Sequence, residues 1–218
     1  MQGIGWAILT ALGALLALAY YAFVVVPARL HRLHCDGLRA FARLIELRSG
    51  GRYGRVEPFL EWSKALASRL NLSLRERRQL ELAIYLRDIG MVAIPYQTLH
   101  KRERLTEAER ILLARHAEIG AAIVEQIPGL RQVAPIVRLH HVVYAEQPEA
   151  PLSAHLLSAL EDCLPLIVAG ELETALKTLQ QGAGTRYHPL VVQAILSEVR
   201  AQGLSGRRDL ARSAALWL

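Results

Sequence analysis

Cysteine is nearly absent from this chain: Cys35 and Cys163 are the 2 in 218 residues. They stand far apart and match no metal or redox spacing, which excludes a disulfide framework and a cysteine-built zinc site. Free thiols in a reducing compartment are expected. Aromatic residues make up 6% and nowhere interleave with a basic stripe. Nucleic acid is therefore not an expected partner, despite a formal charge of +6 and a pI of 9.7. No strand-like alternation bounded by hairpin turns occurs, so no sheet is expected. Internal repeats and low-complexity segments are missing too. The most informative absence is charge, because no charged side chain lies between Met1 and Ala28.

What fills that stretch is apolar. Ile4 to Val26 exceeds the roughly 20 residues a helix needs to cross a bilayer, and Trp6, Tyr20 and Tyr21 lie near its ends, as interfacial aromatics do. Ala17-Leu18-Ala19 resembles a signal-peptide cleavage site. However, no basic residue precedes the run, and the run is longer than a signal core. An uncleaved anchor over 1–28 is expected. Arg29, Arg32, Arg39, Arg43 and Arg48 follow it. The positive-inside rule then puts the rest of the chain on the cytoplasmic side of a single-pass inner-membrane protein. Arginines beside anionic headgroups also account for the high pI. The anchor explains much of the 52% hydrophobic fraction and the mean hydropathy of +0.21.

Residues 29–50 read as a juxtamembrane helix. Leu30, Leu33, Gly37, Ala40, Leu44 and Leu47 alternate by three and four, the seam of a short coiled coil, so a packed linker and a homodimer seam both fit. Ser49-Gly50-Gly51 ends it. Residues 51–202 read as helical throughout. Ser73 with Glu76, and Thr106 with Glu109, have the capping-box spacing. The first pair opens a helix running toward Arg87-Asp88 and stopping at Gly90. The second opens one carrying Leu112, His116, Ile119 and Ile123 on one face. Further helices are expected over Ile136–Val143, around Leu156–Ala169, and from Pro189 through Val199. Residues 203–218 form a basic, then apolar tail.

Four residues invite a chemical reading. A lone histidine on an apolar helix face, like His116, is more often a satisfied core residue than a ligand. The doublet His140-His141 is harder to dismiss, because helical neighbours point about 100° apart, one inward and one to the rim. Asp88 closes a helix, where the dipole disfavours a carboxylate unless a cation is near. Together they suggest a histidine and carboxylate metal centre drawn from separate helices.

The ordered segments carry a more specific signal. "YLRDIGMVAIP" resembles the "LLHDIGKIGIP" run of the HD-GYP family, the cyclic di-GMP phosphodiesterases of the HD superfamily. "LTEAERILLARHAEIGAAIVEQIP" is similar to the segment that follows it, and "IVRLHH" to that family's HHE segment. "PLSAHLLSALE" resembles "PLSARILAVAD", and "GAGTRYHPLVVQAI" resembles "GAGTQFDPELVEAF". The resemblance implies an all-α HD-domain bundle preceded by a transmembrane and a juxtamembrane helix. It also implies a site of bound metal ions that activate water against a phosphodiester.

The departures fall on that site. Arg52 stands for the histidine of an early Gly-His-Ser, and Arg87 for the histidine of the HD pair. Met91 replaces a lysine and Val142 the glutamate of HHE. The loop to Pro151 is shortened and lacks its Gly-Tyr-Pro signature. Glu161 matches the late aspartate ligand, with Asp162 one step out of register. Asp88, His116, His140 and His141 are in place. A guanidinium keeps its proton and offers no lone pair to a metal. The reading is therefore a catalytically degenerate domain with no cofactor, in which Arg52 pairs with Asp88 and Arg87 with Glu161. Such a domain would bind or scaffold in bacterial signalling, with a protein partner expected and a nucleotide possible. The alternative is a phosphohydrolase with one divalent ion (Fe, Mn or Zn) on Asp88, His116, His140 and His141.

Overall fold

A computed structural model describes residues 2–101 and 103–203; the tail from 204 to 218 lies outside the described residues. Helix α1 (Gln2–Tyr20) passes through a π-helical turn at Tyr21–Val25 into α2 (Val26–Arg48). Among the described residues this is the one helix long and apolar enough to cross a membrane. Its apolar side chains, such as Ile4, Trp6 and Leu15, are exposed. Water does not favour such a surface, whereas a hydrocarbon core does.

The described residues fall into two compact units that divide between Ala40 and Phe41. The second unit thus starts inside α2, earlier than the break expected at Gly51. Ala42 and Ile45 bury one face of α2 in this unit, and Ser49, just past its end, is buried as well. Gly54, at φ +81°, lets the returning chain pass so close that a Cβ would sit 2.5 Å from the Ala42 carbonyl oxygen.

The second unit continues with α3 (Glu57–Arg69), α4 (Leu74–Leu86), α5 (Tyr96–Leu99), α6 (Glu107–Ala114), α7 (His116–Glu125), α8 (Ala134–Arg138), α9 (Leu152–Val168), α10 (Leu172–Gln181) and α11 (Pro189–Gly203). No strand occurs among the described residues beyond one isolated bridge, Ala183 to Tyr187. Both capping boxes form: Ser73 and Glu76 exchange bonds at the start of α4, as do Thr106 and Glu109 at the start of α6. α9 is the central staff. Its Leu156, Leu157 and Leu160 are fully buried, with Leu66 of α3, Leu80 and Ile84 of α4, Leu179 of α10 and Ile195 of α11 among the other fully buried side chains. Each such side chain contributes about 1.5–3 kcal/mol by leaving water.

Three elements differ from expectation. α4 ends at Leu86, and a 3-10 turn at Ile89–Ala93 follows, so Asp88 (φ −94°, ψ 4°) is already out of the helix. The helix opened by Thr106 breaks at Arg115, whose amide is shared between the Ile111 and Leu112 carbonyls, leaving His116 as the first residue of α7. Helix α8 stops at Arg138, so His140 and His141 occupy a turn and not a helix. Each break sets the direction of site side chains, and the third sets two, His140 and His141.

Candidate metal centre

His116, His140 and His141 meet with their ligand atoms within 4.8 Å of one another. The Nε2 of His116 lies 3.2 Å from that of His140 and 3.4 Å from that of His141. Because His140 and His141 sit in a turn, their rings face the same point, centroids 4.0 Å apart. The 100° separation expected of a helix does not apply. His116 reaches the point because α7 begins there and a close contact holds it: a Cβ on Gly90 would lie 2.0 Å from the His116 carbonyl oxygen.

Tautomers give the cluster its character. His116 Nδ1 lies 2.7 Å from the Leu113 carbonyl oxygen, and His140 Nδ1 lies 2.6 Å from that of Val137. A carbonyl only accepts, so both Nδ1 atoms carry the hydrogen, and in the neutral ring Nε2 presents a lone pair. Burial, with the neighbouring His141, holds His140 well below its ordinary 6.5, so it stays neutral. Burial, then His116, pushes His141 down to about 4. Two lone pairs facing at 3.2 Å repel each other unless a cation lies between them. Ligand nitrogens about 2.0–2.1 Å from a tetrahedral metal are about 3.3–3.4 Å apart, which matches the two spacings. The three histidines fit a single metal ion.

The carboxylate side does not fit a second ion. Arg87 is 3% exposed, and its guanidinium lies against the Phe59 ring, 3.8 Å from the centroid. Its Nε donates to Glu161 at 2.6 Å, its Nη1 to the Ile84 carbonyl, and its Nη2 to the Arg55 carbonyl. That Nη2 also lies 3.3 Å from Asp88 Oδ2, which accepts from the Gly54 amide at 3.0 Å. Burial works to raise the Asp88 carboxyl, but Arg87, with His140 and the Gly54 amide, outweighs it and leaves the group ionised. Asp88 acts on the histidines electrostatically, while its Oδ2 is committed elsewhere.

Of the two expected ion pairs, Arg87 with Glu161 is formed. The pairing of Arg52 with Asp88 is not. Arg52 is exposed and donates to the Leu99 and Lys101 carbonyls, each at 3.2 Å. Arg87 takes Asp88 instead, which adjacency on a helix would forbid but the end of α4 allows. One guanidinium serves both carboxylates.

The cluster opens into a cleft of about 540 Å³ lined by Tyr53, Met91, Leu113, His116, His141 and Val143, among others. Arg138 and Arg110 reach it as well, but Arg138 is bound to Glu118 and Glu125, and Arg110 to Glu107. The sequence reading missed Arg186, whose side chain grips the carbonyls of His141 and Val142. Its signal was present: the similar family segment has glutamine there.

Comparison with known proteins agrees with this architecture. Residues 39–150 match the HD domain family. The cyclic di-GMP phosphodiesterase response regulator RpfG of Xanthomonas campestris pv. campestris (strain 8004) is 31% identical over 177 residues, covering 74% of this chain and 47% of that protein. The chain thus spans about half the length of the curated relative it matches.

Proposed function

The chain belongs to the HD-domain family, and from that premise we propose that it is a catalytically degenerate, membrane-anchored member that binds or scaffolds in cyclic di-GMP-type signalling and does not hydrolyse. One observation carries the reading: the buried Arg87 guanidinium stands between Asp88 and Glu161. A unit charge about 4 Å away at an effective dielectric near 20 is worth about 4 kcal/mol, and a divalent ion doubles the repulsion. An ion bridging these carboxylates would have to expel Arg87 first. The cleft adds support, because its arginines are already neutralised by glutamates and offer little to a dinucleotide's phosphates. A protein partner fits better. The apolar run of α1, followed by arginines, supports a single-pass anchor with the domain in the cytoplasm. Leu30 and Leu33, and further along the same helix Leu44 and Leu47, are exposed and suit a second copy.

The histidine cluster favours a second reading, a phosphohydrolase with one ion. A metal held by three imidazoles would acidify water and polarise a phosphate. The chain's own part would be to aim the Nε2 atoms of His116 and His140 at the ion, as their Nδ1 bonds to carbonyls do. Metal analysis of the purified full chain, paired with incubation in cyclic di-GMP, separates the readings. We expect no more than one ion per chain and no hydrolysis. Two tightly held ions, or turnover lost in His116→Ala, would overturn the first reading.

A further inference from the structure

The turn that carries His140 and His141 is held from the far end of the chain. Arg186 Nη1 donates to the His141 carbonyl at 3.2 Å and to the Val142 carbonyl at 3.0 Å. Its Nη2 donates to Asp162 Oδ2 at 2.9 Å, and the Tyr187 hydroxyl donates to the same oxygen at 2.9 Å. The backbones join there too: the Tyr144 amide donates to the Arg186 carbonyl at 3.1 Å, and that of Ala145 to the Thr185 carbonyl at 2.8 Å. Ser158 of α9 holds the Val142 carbonyl from the other side at 2.9 Å. α9 therefore directs two adjacent carboxylates to two arginines, Glu161 to Arg87 and Asp162 to Arg186.

We propose that Arg186, anchored on Asp162, is the positioning residue of the histidine cluster, fixing the His140-His141 turn so that the three Nε2 atoms converge on one metal ion. The proposal rests on the reading of the cluster as a metal site. Its logic is geometric. Past Arg138 the turn lies outside any helix, and a ligand set must be held to about 0.5 Å to bind well. A planar guanidinium fork can reach two carbonyls and a carboxylate at once, whereas a lysine is a single point charge. Asp162 sits on α9, so the fork has a rigid footing. Arg186 touches no ligand nitrogen; it acts through the backbone of His141.

Co²⁺ titration of the full-length chain in detergent micelles, followed by visible ligand-field absorption, tests this. Arg186→Ala is expected to weaken Co²⁺ binding about 10–100-fold, as loss of outer-shell partners does, and to alter the spectrum. Arg186→Lys should restore part of both, and Asp162→Asn should resemble Arg186→Ala. Arg69→Ala, which removes the ion pair with Glu198, is the control for general destabilisation and should leave the spectrum unchanged. Equal affinity and an identical spectrum in Arg186→Ala would refute the proposal. If the unaltered chain binds no Co²⁺, the metal reading itself has failed. The clamp is then judged by amide exchange at Tyr144 and Ala145. At least tenfold faster exchange in Arg186→Ala supports it, and unchanged exchange ends it.

Discussion

A guanidinium and a bound cation can both neutralise buried carboxylates, but only the cation can be exchanged or accept an electron pair from water or a substrate. Arg87 fills the first role and forfeits the second. Removing one partner from a buried pair costs about 3–5 kcal/mol, a large part of the about 5–15 kcal/mol that holds a domain together. Arg87→Ala should therefore lower stability by about that amount in denaturant unfolding. Arg87→Met combined with Glu161→Leu should recover much of it, because buried apolar pairs replace buried ion pairs well. His140 sets a pH dependence. Unfolded, it takes a proton near 6.5; folded, only well below that. Between the two the unfolded state binds more protons, so stability falls as pH drops below about 6.5 and is level above it. Melting curves of metal-free protein from pH 8 to 5 should show this, with a flatter slope in His140→Gln.

At the scale of elements, the site depends on where helices stop. α4 ends one residue before Arg87, α6 breaks one residue before His116, and α8 ends two before His140. The capping boxes that start α4 and α6 were legible because a cap is a local spacing. The ends were not, since no glycine or proline marks Leu86, Arg115 or Arg138; packing against neighbours decides them. Gly90 is the tightest such contact, 2.7 Å from the Gly120 amide for an added Cβ and closer still to His116. Gly90→Ala should cost about 1–3 kcal/mol by overpacking, and by pushing α7 away it should abolish Co²⁺ binding as well. Ser73→Ala, at an exposed cap, should cost about 1 kcal/mol and leave Co²⁺ binding intact. The contrast, read by unfolding and metal titration together, separates elements that position the site from those that only build the fold.

For the whole molecule, the proposed topology has a direct check. Protease added outside spheroplasts should leave the helical domain intact and cleave it only after lysis; cleavage without lysis would reverse the orientation. The all-α class, the apolar N-terminal run, both capping boxes and the ordered HD-like segments could be read from residues alone. Each is a matter of local spacing or composition: period 3.6, an uncharged run, a serine three residues before a glutamate. That Arg87 stands where a histidine is expected came from the resemblance to the HD-GYP segments, not from spacing. Partnership was another matter. Arg52 and Arg87 look equivalent in sequence, yet only the folded chain buries Arg87 against Phe59 and leaves Arg52 on the surface. The grip of Arg186 on a turn more than forty residues earlier, and the meeting of three Nε2 atoms from α7 and the turn after α8, likewise depend on helix ends brought together across the bundle. Which charges share a low-dielectric interior is a property of three-dimensional packing, and no one-dimensional pattern carries it.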